Sequence, residues 1–157
     1  MRDERTGRTD MIGRITAIGL AALVAAPAVT PAGAHEFGFA GLMSASNRED
    51  LADLTLASGK PVAAEPYELK SGTFYRIKIV ADGSAELALS GGDFFRAIWI
   101  NEVVINGIEI RPMGVHSIEF DEAGEALISF VAIVPGSFTL SIPGSSGETQ
   151  RATFNIR

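Results

Sequence analysis

The stretch from Ala126 to Gly144, ALISFVAIVPGSFTLSIPG, decides the fold. A long apolar run gives way, after Pro135-Gly136, to the alternation Phe138, Leu140, Ile142 over Thr139 and Ser141. Successive side chains on a strand point to opposite faces, so a period of two marks a half-buried strand. The two halves read as neighbouring strands of a β-sandwich joined by a Pro-Gly turn.

Working upstream, the same rhythm recurs. Tyr75, Ile77 and Ile79 alternate with Arg76, Lys78 and Val80, and Asp82-Gly83 predicts a hairpin turn into Leu87 and Leu89. Ser90-Gly91-Gly92 turns the chain into residues 94–105, FFRAIWINEVVI, which are apolar in both parities. That pattern predicts a strand covered on both sides, with Phe94, Phe95 and Trp99 in the core. Asn106-Gly107 tolerates the positive φ of a type I′ turn, which fixes a register. Ile105 then opposes Ile108, Val104 opposes Glu109, and Val103 opposes Ile110. Arg111-Pro112-Met113-Gly114 closes that hairpin, and His116, Ile118 and Phe120 share the face of a further strand. Asp121 to Glu125 turns back into the opening stretch, and residues 150–157 supply a last strand. Between Glu36 and Pro66 the pattern is weaker. FGFAGLM suggests an edge strand, and Asn47-Arg48-Glu49-Asp50 suggests the cap of a short helix through Leu56, with Glu49, Asp50 and Asp53 on its solvated face. Ser58-Gly59-Lys60-Pro61 ends that element. Many short strands, close turns and little helical pattern define an all-β chain, an antiparallel Greek-key β-sandwich.

The Pro-Gly turn leading into an aromatic-alternating strand resembles the closing segment of the cupredoxin family, in which that strand delivers a copper-ligating cysteine. The resemblance covers about Tyr67 to Gly144 and rests on the turn, the alternation and the strand rhythm, which an immunoglobulin-like sandwich would share. Counted from Pro135, the family's cysteine falls on Ile142. The loop from Pro143 to Gly147, where the resemblance places a second histidine and a methionine, contains neither. The resemblance therefore implies the fold and excludes a blue-copper electron carrier.

Composition narrows the function further. The chain has 157 residues, a net charge of −6 and no cysteine. Without cysteine there is no disulfide, no zinc-thiolate site and no copper thiolate. An acidic chain without a Lys/Arg cluster is unsuited to nucleic acid or an anionic membrane. Residues 1–34 read as a secretory signal peptide: Arg14, the apolar run from Ile15 to Val29, then the small-x-small site Ala32-Gly33-Ala34. Met11 gives a more usual signal length than Met1. The run is shorter than the ~20 residues of a spanning helix and is broken by Pro27, so no membrane insertion is expected after cleavage. The expected location is the periplasm or the medium. Residues 35–65 form an N-terminal extension with a short helix, and residues 66–157 the cupredoxin-like sandwich.

Cleavage after Ala34 makes His35 the first residue, whereas cleavage after Ala28 buries it in a longer terminus. A free α-amine and the imidazole of one residue chelate a metal together, and a second imidazole completes a three-nitrogen site that suits Cu(II). In this, His35 resembles the N-terminal histidine of exported copper carriers and copper oxygenases. The chain has one other histidine, His116, and Met113 in the preceding Pro-Gly turn offers a thioether. These three residues, His35, His116 and Met113, are the candidate metal ligands, with copper as the candidate ion. His116 equally suits a histidine at the core's rim, hydrogen-bonded to a neighbour. The sequence holds no Gly-x-Ser-x-Gly elbow, phosphate loop, dinucleotide glycine motif or His-Glu-x-x-His pair, so no enzymatic activity is expected. A copper-binding protein and a metal-free module that binds another exported protein are the two readings that remain.

Overall fold

A computed structural model describes residues 39–157. Residues 1–34, expected to be a signal peptide, and His35 lie outside the described residues. A four-residue helix, α1 (Phe39–Leu42), comes first. The strands β1 (Arg48–Asp50), β2 (Leu54–Leu56), β3 (Tyr67–Leu69), β4 (Phe74–Ala81) and β5 (Leu87–Ser90) follow, then helix α2 (Gly92–Ala97). Strands β6 (Ile98–Ile105), β7 (Ile108–Ile110), β8 (Ser117–Phe120), β9 (Gly124–Ala132), β10 (Gly136–Ser141) and β11 (Arg151–Ile156) complete the sandwich. Among the described residues no helix is long and apolar enough to cross a membrane.

One sheet runs β1-β4-β9-β6-β7, with β2 also pairing with β4; the other runs β3-β11-β10-β5-β8. The central pairings are antiparallel, as the alternation predicts. Three pairings at the edges are parallel, β1 and β2 on β4 and β3 on β11, so both sheets are mixed. Those edge strands all come from residues 48–69, which reach the sheets through connections rather than hairpins.

The alternation on β4 is realised in full: Tyr75, Ile77, Ile79 and Ala81 are buried while Arg76, Lys78 and Val80 are part-exposed. The Asn106-Gly107 turn is also as read, with φ of 49° and 78° and the expected register of Ile105 on Ile108, Val104 on Glu109 and Val103 on Ile110.

Four local readings are corrected by the structure. The segment expected as a helix through Leu56 forms β1 and β2, because Leu54 and Leu56 bury on one face at strand spacing while Asp50 and Asp53 pair with Arg76 and Lys78 of the neighbouring strand. The part of FGFAGLM that is described forms α1 rather than an edge strand. Residues 92–97 form α2, not the start of a strand; the helix turns Phe94 and Phe95 into the core, and the strand begins only at Ile98. Trp99 is 41% exposed, so β6 is not covered on both sides as its composition suggested.

The Pro135-Gly136 and Asp82-Gly83 connections also differ from hairpins. Each leads from one sheet to the other: β9 to β10, and β4 to β5. Periodicity gives the buried face of a strand but not the sheet that receives it. Gly83 has φ 73°, and a Cβ there would stand 2.8 Å from the backbone nitrogen of Ala123, so this connection lies against the one that leads from β8 to β9.

Between the sheets the core is knit by aromatic rings. Phe94 stacks on Phe154 of one sheet at 4.2 Å and meets Phe130 of the other edge-on at 5.8 Å; Tyr67 stacks on Phe154 and Tyr75 lies against Phe130. Burying one such ring contributes about 1.5–3 kcal/mol, so α2 is held by its two phenylalanines more than by its six residues of helix. The two buried phenols have polar partners: Tyr67 donates to the Ala52 carbonyl at 3.0 Å, and Tyr75 accepts from the Lys70 amide at 2.8 Å. Burial pushes the Tyr67 phenol up from its ordinary value.

Candidate ligand-binding site

The position that the resemblance gives to the copper cysteine, Ile142, follows the end of β10. It is part-buried and packs against the core, and its amide donates to the Gln150 carbonyl at 3.0 Å. Its carbonyl accepts from both the amide and the hydroxyl of Ser145, which pins the following turn. A branched alkyl group and a loop of Pro, Gly and Ser offer no soft or imidazole donor. The residues here do not fit a blue-copper centre.

Next to this position β5 ends at Ser90, which pairs with Ser141, and α2 takes the strand's place beside β10. The replacement demands glycine at the junction. A Cβ on Gly91 would stand 2.3 Å from the Thr139 carbonyl, and one on Gly92 would stand 2.9 Å from His116 Nδ1. Between α2 and β10 lies an open groove of about 530 Å³, bordered by Ser90, Arg96, Ser137, Thr139 and Ser141. Arg96 is tied to Asp93 at 2.5 Å.

His116 stands beside Gly92 at the Gly91-Gly92 end of the groove, exposed just before β8. Its carbonyl accepts from the Gly91 amide at 3.2 Å, and its Nε2 lies 3.4 Å from Ser90 Oγ. Of the two readings of His116, the hydrogen-bonded neighbour is therefore Ser90, while Nδ1 lies against Gly92. The Arg96 guanidinium approaches the same glycine, its Nη1 3.7 Å from the point a Gly92 Cβ would occupy. Met113 is fully exposed in the bend between β7 and β8. His35 lies outside the described residues.

Among the described residues one group of three possible metal-ligating side chains converges: Glu86, Glu119 and Asp121, all exposed at the β5–β8 edge. It contains none of the sequence-predicted ligands. The pairing of Ala88 with Glu119 brings it together, and that pairing spans two distant segments with no turn to announce it.

No protein-family model matches the chain, and no curated protein matches it. Solved structures do. The chain is similar to a multicopper oxidase from Pseudomonas thermotolerans, with 15% identity over 71% of this chain and 30% of that one, at a TM-score of 0.52. It is also similar to the copper nitrite reductase from Nitrosomonas europaea, with 19% identity over 60% of this chain and 33% of that one, at a TM-score of 0.47. The chain thus spans about a third of the length of either. The multicopper oxidase is a cupredoxin-fold protein, and the fold of this chain is cupredoxin-like.

Proposed function

We propose that this is an exported cupredoxin-like protein that binds or carries copper without being a blue-copper electron carrier. The ion is held at the amino-terminal residue His35, left by cleavage after Ala34, with His116 as a second imidazole and Met113 as a soft donor. The supporting observation is the exposed His116, whose Nε2 lies 3.4 Å from Ser90 Oγ while Nδ1 lies beside Gly92, 2.9 Å from where a Cβ would stand. An imidazole oriented through one nitrogen presents the other to a ligand. Among the described residues this is the single imidazole, so the α-amine and ring of His35 must supply the remaining nitrogens. Bound at such a site the ion is stored or transferred, and no turnover of substrate is proposed.

The test is amino-terminal sequencing of the exported protein followed by Cu(II) titration. The protein beginning at His35 binds one ion through nitrogen donors, with an affinity that falls as protons compete for the amine and imidazoles. Extending the terminus by one residue converts the amine to an amide and weakens binding sharply; His116→Ala weakens it less. Equal affinity in the extended protein, or a mature start other than His35, overturns this reading. The second reading, a metal-free module that binds another exported protein, is favoured by the β7 edge, where Ile108 is 65% and Ile110 45% exposed.

A further inference from the structure

We infer that the loop between β10 and β11 forms, with Arg151, a site for a small oxyanion: a phosphate, sulfate or carboxylate group. Arg151 opposes Ser141 across the β10–β11 pair and so projects on the same outer face. Its Nε is buried and has no hydrogen-bond partner. A guanidinium N–H is a donor only, and a donor left buried without an acceptor is costly, so the geometry calls for lone pairs. Arg151 lines a cavity of about 90 Å³ with Thr139, Ser141, Ser145, Ser146 and Gly147. That is room for a group of a few heavy atoms. The Ser145 hydroxyl is committed to the Ile142 carbonyl at 2.6 Å, which fixes the loop, and the hydroxyls of Thr139, Ser141 and Ser146 can donate to a ligand.

The chemistry selects the class. A guanidinium edge with several hydroxyl donors suits an oxyanion, and the positive charge disfavours a metal cation. Arg151 Nη2 is already paired with Glu148 and Nε is enclosed, so Nη1 is the donor left to meet a ligand directly. Arg151 also borders a larger hollow of about 420 Å³, but there Glu65 joins Glu148 in the lining, and two carboxylates outweigh the one guanidinium. The hydroxyl-lined cavity is the one that fits. It occupies the loop in which the cupredoxin resemblance places a histidine and a methionine, so the place of a metal loop is taken by donors for an anion.

The experiment titrates the full mature protein, freed of metal by a chelator, with inorganic phosphate, sulfate and acetate in turn, at ionic strength held constant with chloride. Nitrogen-15 NMR of the Arg151 Nε–H and of the Ser146 and Gly147 amides is the readout. The expected result is a saturable shift of these signals with at least one of the three anions, and a comparison among them separates tetrahedral from carboxylate ligands. Arg151→Gln weakens binding tenfold or more, and Ser146→Val, which fills the cavity and leaves the arginine in place, does the same while the remaining spectrum stays folded. No saturable shift with any of the three, a response that chloride reproduces, or unchanged binding in both variants overturns the proposal. Because metal is absent throughout, the outcome is independent of the copper reading.

Discussion

Gly91 lies so close to β10 that a Cβ on it would stand 2.3 Å from the Thr139 carbonyl and 2.7 Å from Leu140 Cδ2. The first of these is backbone and cannot rotate away. Gly91→Ala must therefore push α2 off the sheet and loosen Phe94 and Phe95, at a cost of about 1–3 kcal/mol, as for other overpacked sites. Thermal unfolding should show a midpoint several degrees lower. An unchanged midpoint would mean that the junction between β5 and α2 yields without cost.

Gly107 differs in mechanism, because a Cβ there would meet nothing within 4 Å. The strain is purely in the backbone, whose φ of 78° a β-branched residue resists. Gly107→Val should destabilise the domain by about 1 kcal/mol or more, and Gly107→Asn by less, since asparagine tolerates positive φ. Chemical denaturation midpoints of the two variants check the order.

Acid should weaken the β1 edge. Arg76 donates to both oxygens of Asp50, at 2.6 and 2.8 Å, and this hydrogen-bonded pair holds the Asp50 carboxyl below its usual value. A depressed folded value means that the contribution is present above about pH 4 and is lost as pH falls through the folded value. Asp82 behaves alike, held down by hydrogen bonds from Ser84. Comparing stability at pH 7 and pH 3, Asp50→Asn should lose less on acidification than the parent protein, and added salt should shrink the difference because the pair is exposed. An identical acid response in the two proteins would remove Asp50 from the account.

Copper spectroscopy gives the fourth prediction. With no cysteine in the chain and an alkyl side chain at Ile142, added Cu(II) should give no intense blue band from thiolate charge transfer. An intense blue band would contradict the donor set read from these residues.

What could be read from the residues alone was local. The β4 alternation and the Asn106-Gly107 register are consequences of pleat and turn geometry, and both depend on residues adjacent in the chain. The aromatic and aliphatic run from Phe94 to Ile105 carries no such information, because a continuous apolar stretch suits a buried helix and a buried strand equally. Its first four residues became helix because Gly91-Gly92 let the chain approach β10 and Phe94 found Phe154 and Phe130. Leu54 and Leu56 were hidden behind acidic neighbours that look like a helix start until Arg76 and Lys78 are seen opposite them. His116 was legible as a candidate, but its partner Ser90 lies 26 residues away and only the β5–β8 pairing brings them together. The Arg151 cavity could not be anticipated, since its evidence is a single buried nitrogen.

The place of β11 in its sheet carries a consequence for the order of assembly. It pairs with β10 on one side and, in parallel, with β3 on the other, setting Phe154 against Tyr67. The strand that joins the earliest member of this sheet to the rest is thus the last of the described strands in chain order. Tyr67 cannot stack on Phe154 until residues beyond 150 have been synthesised, so the sheet closes late in the order of assembly. Such distant pairing slows folding and leaves β3 and β10 with open edges in the interval. A holding factor, or passage across a membrane before folding, would shelter those edges while the chain waits for β11.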